Sequence, residues 1–277
     1  MRRIISLTTG TFAMALAALA AGGASATAAG TLPTFGITMT GNSISVPSSV
    51  PAGAVNVVST VSGEAAGSPT LVRLDPGVTF EQAFAAAQGA GGDPNALQGL
   101  ASIVFSVQAN KGTSSAQTVL TPGNWVALDT TKNNANQWPH AAFTVTANSA
   151  PASLPAAGAT IKTQEFRFLS PSRLHDGEVV RFENGGYLVH MVIGLPVRNM
   201  AAAKTVVALL RGGKDNKAMK LITGPPPGWV GTFSPGGIVQ AAINAKPGVY
   251  VIACFMDTQD HREHTQLGME KIIRITK

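Results

Sequence analysis

The side chains able to do chemistry gather in the last third of the chain. The single cysteine, Cys254, ends the apolar run Val249-Tyr250-Val251-Ile252-Ala253, and within fifteen residues of it come His261, His264 and Met269. Upstream, Phe182-Glu183-Asn184-Gly185-Gly186-Tyr187-Leu188-Val189-His190 carries a further imidazole into a strand. One cysteine cannot form an intramolecular disulfide, so the thiol is either an inert buried hydrophobe or a ligand. Two imidazoles, a thiolate and a weak thioether make the trigonal-plus-axial set that suits a mononuclear copper cycling between two oxidation states. The soft sulfurs favour Cu(I), and imidazole serves both states. His190, Cys254, His264 and Met269 are the candidate ligands, with His261 the alternative second imidazole.

These residues need strands to aim them. Thr163–Leu169, Glu178–Glu183, Val189–Gly194, Val249–Phe255 and Lys271–Thr276 are short, β-branched and bounded by turn residues, which predicts an antiparallel sandwich. The pattern occurs twice. Ile37, Pro47, Ser48 and Gly53 recur at Ile161, Pro171, Ser172 and Gly177, displaced by 124, and Pro122-Gly123-Asn124-Trp125-Val126 recurs as Pro247-Gly248-Val249-Tyr250-Val251, displaced by 125. Tandem duplication is the reading, with residues 29–148 as a first domain, the Pro/Ala/Ser/Gly stretch 149–159 as linker and 160–277 as a second domain. Each copy also holds one helix. Thr79 and Gln82 form a capping box ahead of Phe80–Gln88, and Asn199 caps Met200–Leu210 ahead of Gly212 and Gly213. Both helices are expected to lie as lids on one end of a sandwich.

Phe182-x-Asn184-x5-His190 and Cys254-x9-His264-x4-Met269 together resemble the cupredoxins, the type 1 blue copper proteins, of the plastocyanin kind. The likeness covers residues 160–277 and reaches the first copy only through the repeat. It implies two tandem cupredoxin-like β-sandwiches and one type 1 copper per chain, held by His190, Cys254, His264 and Met269 with Asn184 supporting the ligands. It implies electron transfer with a redox partner protein and no catalysis. The Cys-to-His loop is longer than in plastocyanins and similar to that of copper nitrite reductases. Met191 stands where many relatives have an asparagine that braces the ligand loops. By the repeat offsets Cys254 falls opposite Asp129 and His264 opposite His140, so the first copy lacks the ligand set.

Composition narrows the alternatives. The chain has 277 residues, 45% hydrophobic and only 12% charged, unlike a disordered segment. Its formal charge of +6 is scattered, with no basic run interleaved with aromatics, which argues against nucleic acid as partner. Met1-Arg2-Arg3, the apolar stretch from Ile4 to Ala21 and the small residues up to Ala28 read as a cleaved signal peptide over residues 1–28, hence a secreted or periplasmic protein. No later apolar run reaches the length of a transmembrane helix. Gly-x-Ser-x-Gly is absent, which removes the usual hydrolase elbow. Copper storage or delivery, and a metal-free binding module, are the alternatives to electron transfer.

Overall fold

A computed structural model describes residues 31–91, 93–132 and 135–277; the expected signal peptide lies outside them. The first half contributes β1 (Thr34–Thr40), β2 (Ser43–Ser45), β3 (Ser49–Pro51), β4 (Gly53–Gly67), β5 (Pro69–Leu74), α1 (Phe80–Gly89), β6 (Ala101–Ser106), β7 (Ala109–Leu120), β8 (Gly123–Asp129) and β9 (His140–Thr146). The second contributes β10 (Ala159–Gln164), β11 (Arg167–Leu169), β12 (Arg173–His175), β13 (Val179–Asn184), β14 (His190–Val197), α2 (Met200–Arg211), α3 (Asp215–Met219), β15 (Gly228–Phe233), β16 (Ile238–Ala242), β17 (Gly248–Ala253) and β18 (Glu270–Thr276).

Alternation drives the layering. Along β1, Phe35, Ile37 and Met39 are buried while Thr34, Gly36, Thr38 and Thr40 face water, the signature of a sheet with one face on a core. Strands β3-β9-β8-β5-β6 form one five-stranded sheet and β12-β18-β17-β14-β15 another, so the second half repeats the order of the first. Opposite them, β2-β1-β4-β7 and β11-β10-β13-β16 meet at β7 and β16 to make a continuous eight-stranded sheet. The chain is therefore two tandem β-sandwiches sharing a sheet, and residues 32–277 make one compact unit. That junction is short: Val239 faces Thr118, Gln240 faces Gln117, and the two glutamine side chains bond at 2.9 Å. Most pairings are antiparallel. Four are parallel, β1–β4, β3–β9, β10–β13 and β12–β18, because the chain crosses between sheets before returning to the strand's side.

The helices do not sit on the sandwich ends. α1 packs Ala83 against Val72, Leu74, Ile103 and Val126, and α2 packs Ala203, Val206 and Leu210 against Leu195, Val197, Val251 and Ala253, on the second faces of the two five-stranded sheets. Those strands are apolar on both sides and need cover on both. Removing Leu210, fully buried, would cost about 2–5 kcal/mol. The capping box at Thr79 and Gln82 forms, and the Asn199 side chain accepts the Ala202 N–H.

The Pro/Ala-rich segment between the halves is fastened to both. Ala152 accepts the Ala54 N–H at 2.8 Å, and Pro155 accepts from Arg181 Nη2 at 2.7 Å. Gly53, at φ 135°, lets this segment lie so close that a Cβ would meet the Ala152 nitrogen at 2.8 Å. The expected strand Thr163–Leu169 is interrupted: β10 ends at Gln164, and Glu165 with Phe166, the latter at φ 57°, turns the chain into β11.

Candidate metal centre

His190 opens β14, immediately after the segment 185–189 that follows β13. Asn184 ends β13 and holds that segment: its Nδ2 donates to the carbonyls of Leu188 at 2.8 Å and Phe233 at 2.9 Å, and its Oδ1 accepts the Gly186 N–H at 3.0 Å. Three bonds satisfy a residue that is 3% exposed, as a buried amide requires. Cys254 lies one residue past β17, its N–H donating to the Met269 carbonyl at 3.2 Å.

From there the chain forms a loop closed by its own bonds. Asp257 and Glu263 bridge, the tip turns through His261 at φ 58°, and His264–Leu267 make a 3-10 turn ended by Gly268 at φ 98°. The left-handed Gly268 returns the chain so that the Met269 N–H reaches the His264 carbonyl at 2.9 Å. The His264 N–H donates to Met256 at 2.7 Å, fixing the turn against the strand of loop that leaves Cys254.

The outcome is convergence. Cys254 Sγ lies 3.8 Å from His190 Nδ1 and 3.4 Å from His264 Nδ1, and all three side chains are 0% exposed. One donor atom of each falls within 4.8 Å of the others. The Met191 N–H points at the sulfur from 3.4 Å. Met269 is fully buried with its backbone bonded to Cys254 and His264; His261 is exposed on the loop tip and is not part of the cluster.

Burial dictates the charge state without a metal. It pushes the Cys254 thiol up to about 12, although backbone N–H groups of Met256 and Met191 pull the other way. It pulls His190 down to about 4, helped by the neighbouring His264 and opposed by Glu165, and it lowers His264 too. Burial thus favours the neutral form of all three groups, and each imidazole lacks a hydrogen-bond partner at Nε2. Neutral imidazole is the form that binds a metal, and a cation is what stabilises a buried thiolate. The donors fit copper: soft sulfur, two imidazoles, low coordination number and exclusion of water.

A thiol and two imidazoles thus converge where β17, β14 and the β17–β18 loop meet at one end of a two-sheet sandwich. The fold is a tandem β-sandwich, and its cluster of one thiol and two imidazoles is a donor set that suits a soft or borderline transition metal such as copper. No family model and no curated protein matches the chain. Among solved structures the chain is similar to auracyanin B, at 18% identity over 45% of this chain and 93% of that one with a TM-score of 0.27. It is similar to the auracyanin of Roseiflexus castenholzii at 18% identity over 44% and 100%, TM-score 0.25. It is also similar to a copper-containing nitrite reductase from Thermus scotoductus, at 12% identity over 88% of this chain and 68% of that one, TM-score 0.26.

Two further residues stand behind the imidazoles, and sequence reasoning missed both. Glu165 Oε1 accepts the N–H groups of Tyr187 at 2.6 Å and Leu188 at 3.1 Å and lies 3.6 Å from His190 Nε2. Partial burial raises its carboxyl, but those backbone donors outweigh burial and hold it below the usual carboxylate range. Phe166 packs edge-on against His264, ring centroids 5.2 Å apart. Both belong to the β10–β11 turn, about 25 residues ahead of His190, where nothing in the local pattern marks a site.

Proposed function

We propose that the second half holds one copper through His190, Cys254, His264 and Met269, and exchanges single electrons with a redox partner protein outside the cytoplasm. The observation that carries this is the convergence of one donor atom each of His190, His264 and Cys254 within 4.8 Å, in full burial. When bound, copper supplies a one-electron couple. The chain's own residues would hold the three donors with little rearrangement between oxidation states, and their burial excludes water. Met269 would add a weak thioether donor, because backbone bonds join it to both Cys254 and His264. Asn184 supports His190 by fixing the segment that precedes it.

A carrier is favoured over an enzyme because the three donors are fully buried and they form the one cluster of three such ligands among the described residues. One ion per chain is favoured because Asp129, at the matching end of the first half, already accepts from Ser68, Thr131 N and Thr131 Oγ1. The repeated strand order supports duplication, with domains at 29–148 and 160–277 around the linker 149–159. Export rests on residues 1–28; no helix among the described residues is long and apolar enough to cross a membrane.

The test is to load the purified chain with Cu(II), record its optical spectrum and count the metal. An intense thiolate charge-transfer band, one tightly held ion and a reversible voltammetric wave are expected. Rapid metal loss to a chelator would favour storage or delivery, and absence of the band would leave a metal-free binding module.

A further inference from the structure

The first half bonds to the segments beside the metal centre through the Asn95 side chain. It lies in the short 3-10 turn Pro94–Leu97, which leads into β6 and lies against the second half. Its Oδ1 accepts the Val189 N–H at 3.4 Å, and its Nδ2 donates to the Asp257 carbonyl at 3.1 Å. Val189 is the residue before His190; Asp257 is three residues after Cys254 and bridges Glu263, which precedes His264. One amide therefore spans the segments leading to or from all three donors, across 94 and 162 residues of sequence.

The amide is itself held. Asp93 Oδ1 accepts both the Asn95 backbone N–H and Nδ2, each at 2.9 Å. Its orientation is dictated from both sides: Val189 offers only a donor, while Asp93 and Asp257 offer only acceptors, so a flipped amide would face like against like at every contact. Pro94 limits the backbone of the turn. Alongside, Ser234 Oγ accepts the Ile103 N–H at 2.9 Å and its own N–H reaches the Ile103 carbonyl at 2.7 Å, pinning β6 to the turn after β15. The same β15 end accepts from Asn184 through Phe233.

We infer that Asn95 is a positioning residue for the metal centre, a brace supplied by the ligand-free half that holds the two ligand-bearing loops at fixed separation. This rests on the copper reading above, and it gives the first half a role at the site. Residues that support metal ligands typically change affinity by about 10–100-fold when removed.

The experiment uses the full chain with Asn95→Ala, Asn95→Asp and, as control, Gln98→Ala, whose side chain bonds to neither loop. Two readouts are taken. In the copper-loaded proteins, Asn95→Ala is expected to keep the charge-transfer band but broaden it and to release copper to a chelator about tenfold faster. Asn95→Asp, which keeps the acceptor for Val189 but loses the donor to Asp257, should fall at least as far, and Gln98→Ala should match the parent. In the metal-free proteins, amide hydrogen exchange at Val189 should accelerate in both Asn95 variants. Release within about twofold of the parent with unchanged exchange would overturn the brace. Absence of a band in the parent would refute the copper reading, while the exchange measurement still judges the brace.

Discussion

The two halves have the same strand order, yet their corresponding ends are finished in opposite ways. After β8 the first half places Asp129, 3% exposed, and surrounds its carboxylate with the Ser68 N–H, the Thr131 N–H and the Thr131 hydroxyl. After β17 the second half places Cys254 between two buried imidazoles, and both Nε2 atoms go unpartnered. His140, at the position corresponding to His264, is exposed on β9 and packs at a tilt against Phe80 with centroids 4.4 Å apart. The closed end satisfies its carboxylate from its own loop, whereas at the other end the two Nδ1 atoms meet only the Cys254 sulfur and both Nε2 atoms stay without a hydrogen-bond partner. The difference between structural and functional burial is thus one of hydrogen-bond accounting on a shared scaffold.

The largest break in that contrast comes at the sulfur. Cys254→Ser is expected to abolish the charge-transfer band and to weaken copper by more than about 100-fold, the upper end for residues that merely support a ligand, while the chain still folds. Titration with a competing chelator measures it, and retention of colour would end the thiolate assignment. His264→Ala should bleach the site or open it to added imidazole.

A pH titration of the metal-free chain separates the halves differently. His190 is held near 4 against an ordinary 6.5, so its contribution to stability is complete above 6.5 and is lost as pH falls through 4. Cys254 is raised from 9.0 to about 12, so its contribution is complete below 9 and is lost as pH rises through 12. Denaturant unfolding should therefore weaken more on the acid side in the parent than in His190→Phe. Equal acid sensitivity in the two proteins would contradict the burial argument.

At the closed end, Asp129→Ala strands two backbone donors. It is expected to cost about 2 kcal/mol of stability with the copper spectrum of the second half unchanged, as measured by chemical unfolding and absorption. The smallest effect is reserved for the loop tip. His261→Ala should leave the spectrum intact and change stability by less than about 1 kcal/mol, since the residue is exposed and outside the cluster. Loss of colour there, with retention in His264→Ala, would mean that the loop register is wrong.

Much of this was readable beforehand because it is local. The Thr79 and Gln82 caps, the alternating strands and the spacing of Cys254, His264 and Met269 depend on neighbours a few residues apart. Other features depend on which strands lie next to one another. The helices cover sheet faces instead of ends because β5 and β17 turned out apolar on both sides once paired. The strand expected over Thr163–Leu169 failed because Phe166 adopts a left-handed backbone that periodicity does not report.

The sequence by itself determined the donor types, their order along the chain and the pleated segments that would carry them, since these follow from side-chain chemistry and short-range periodicity. Only the tertiary structure decided which imidazole joins Cys254, that Glu165 and Phe166 stand behind the two rings, and that Asn95 crosses from the other half to tie the loops. Those contacts join segments up to 162 residues apart. Their geometry is set by the packing of two sheets and the short β7–β16 seam, and no local pattern encodes it.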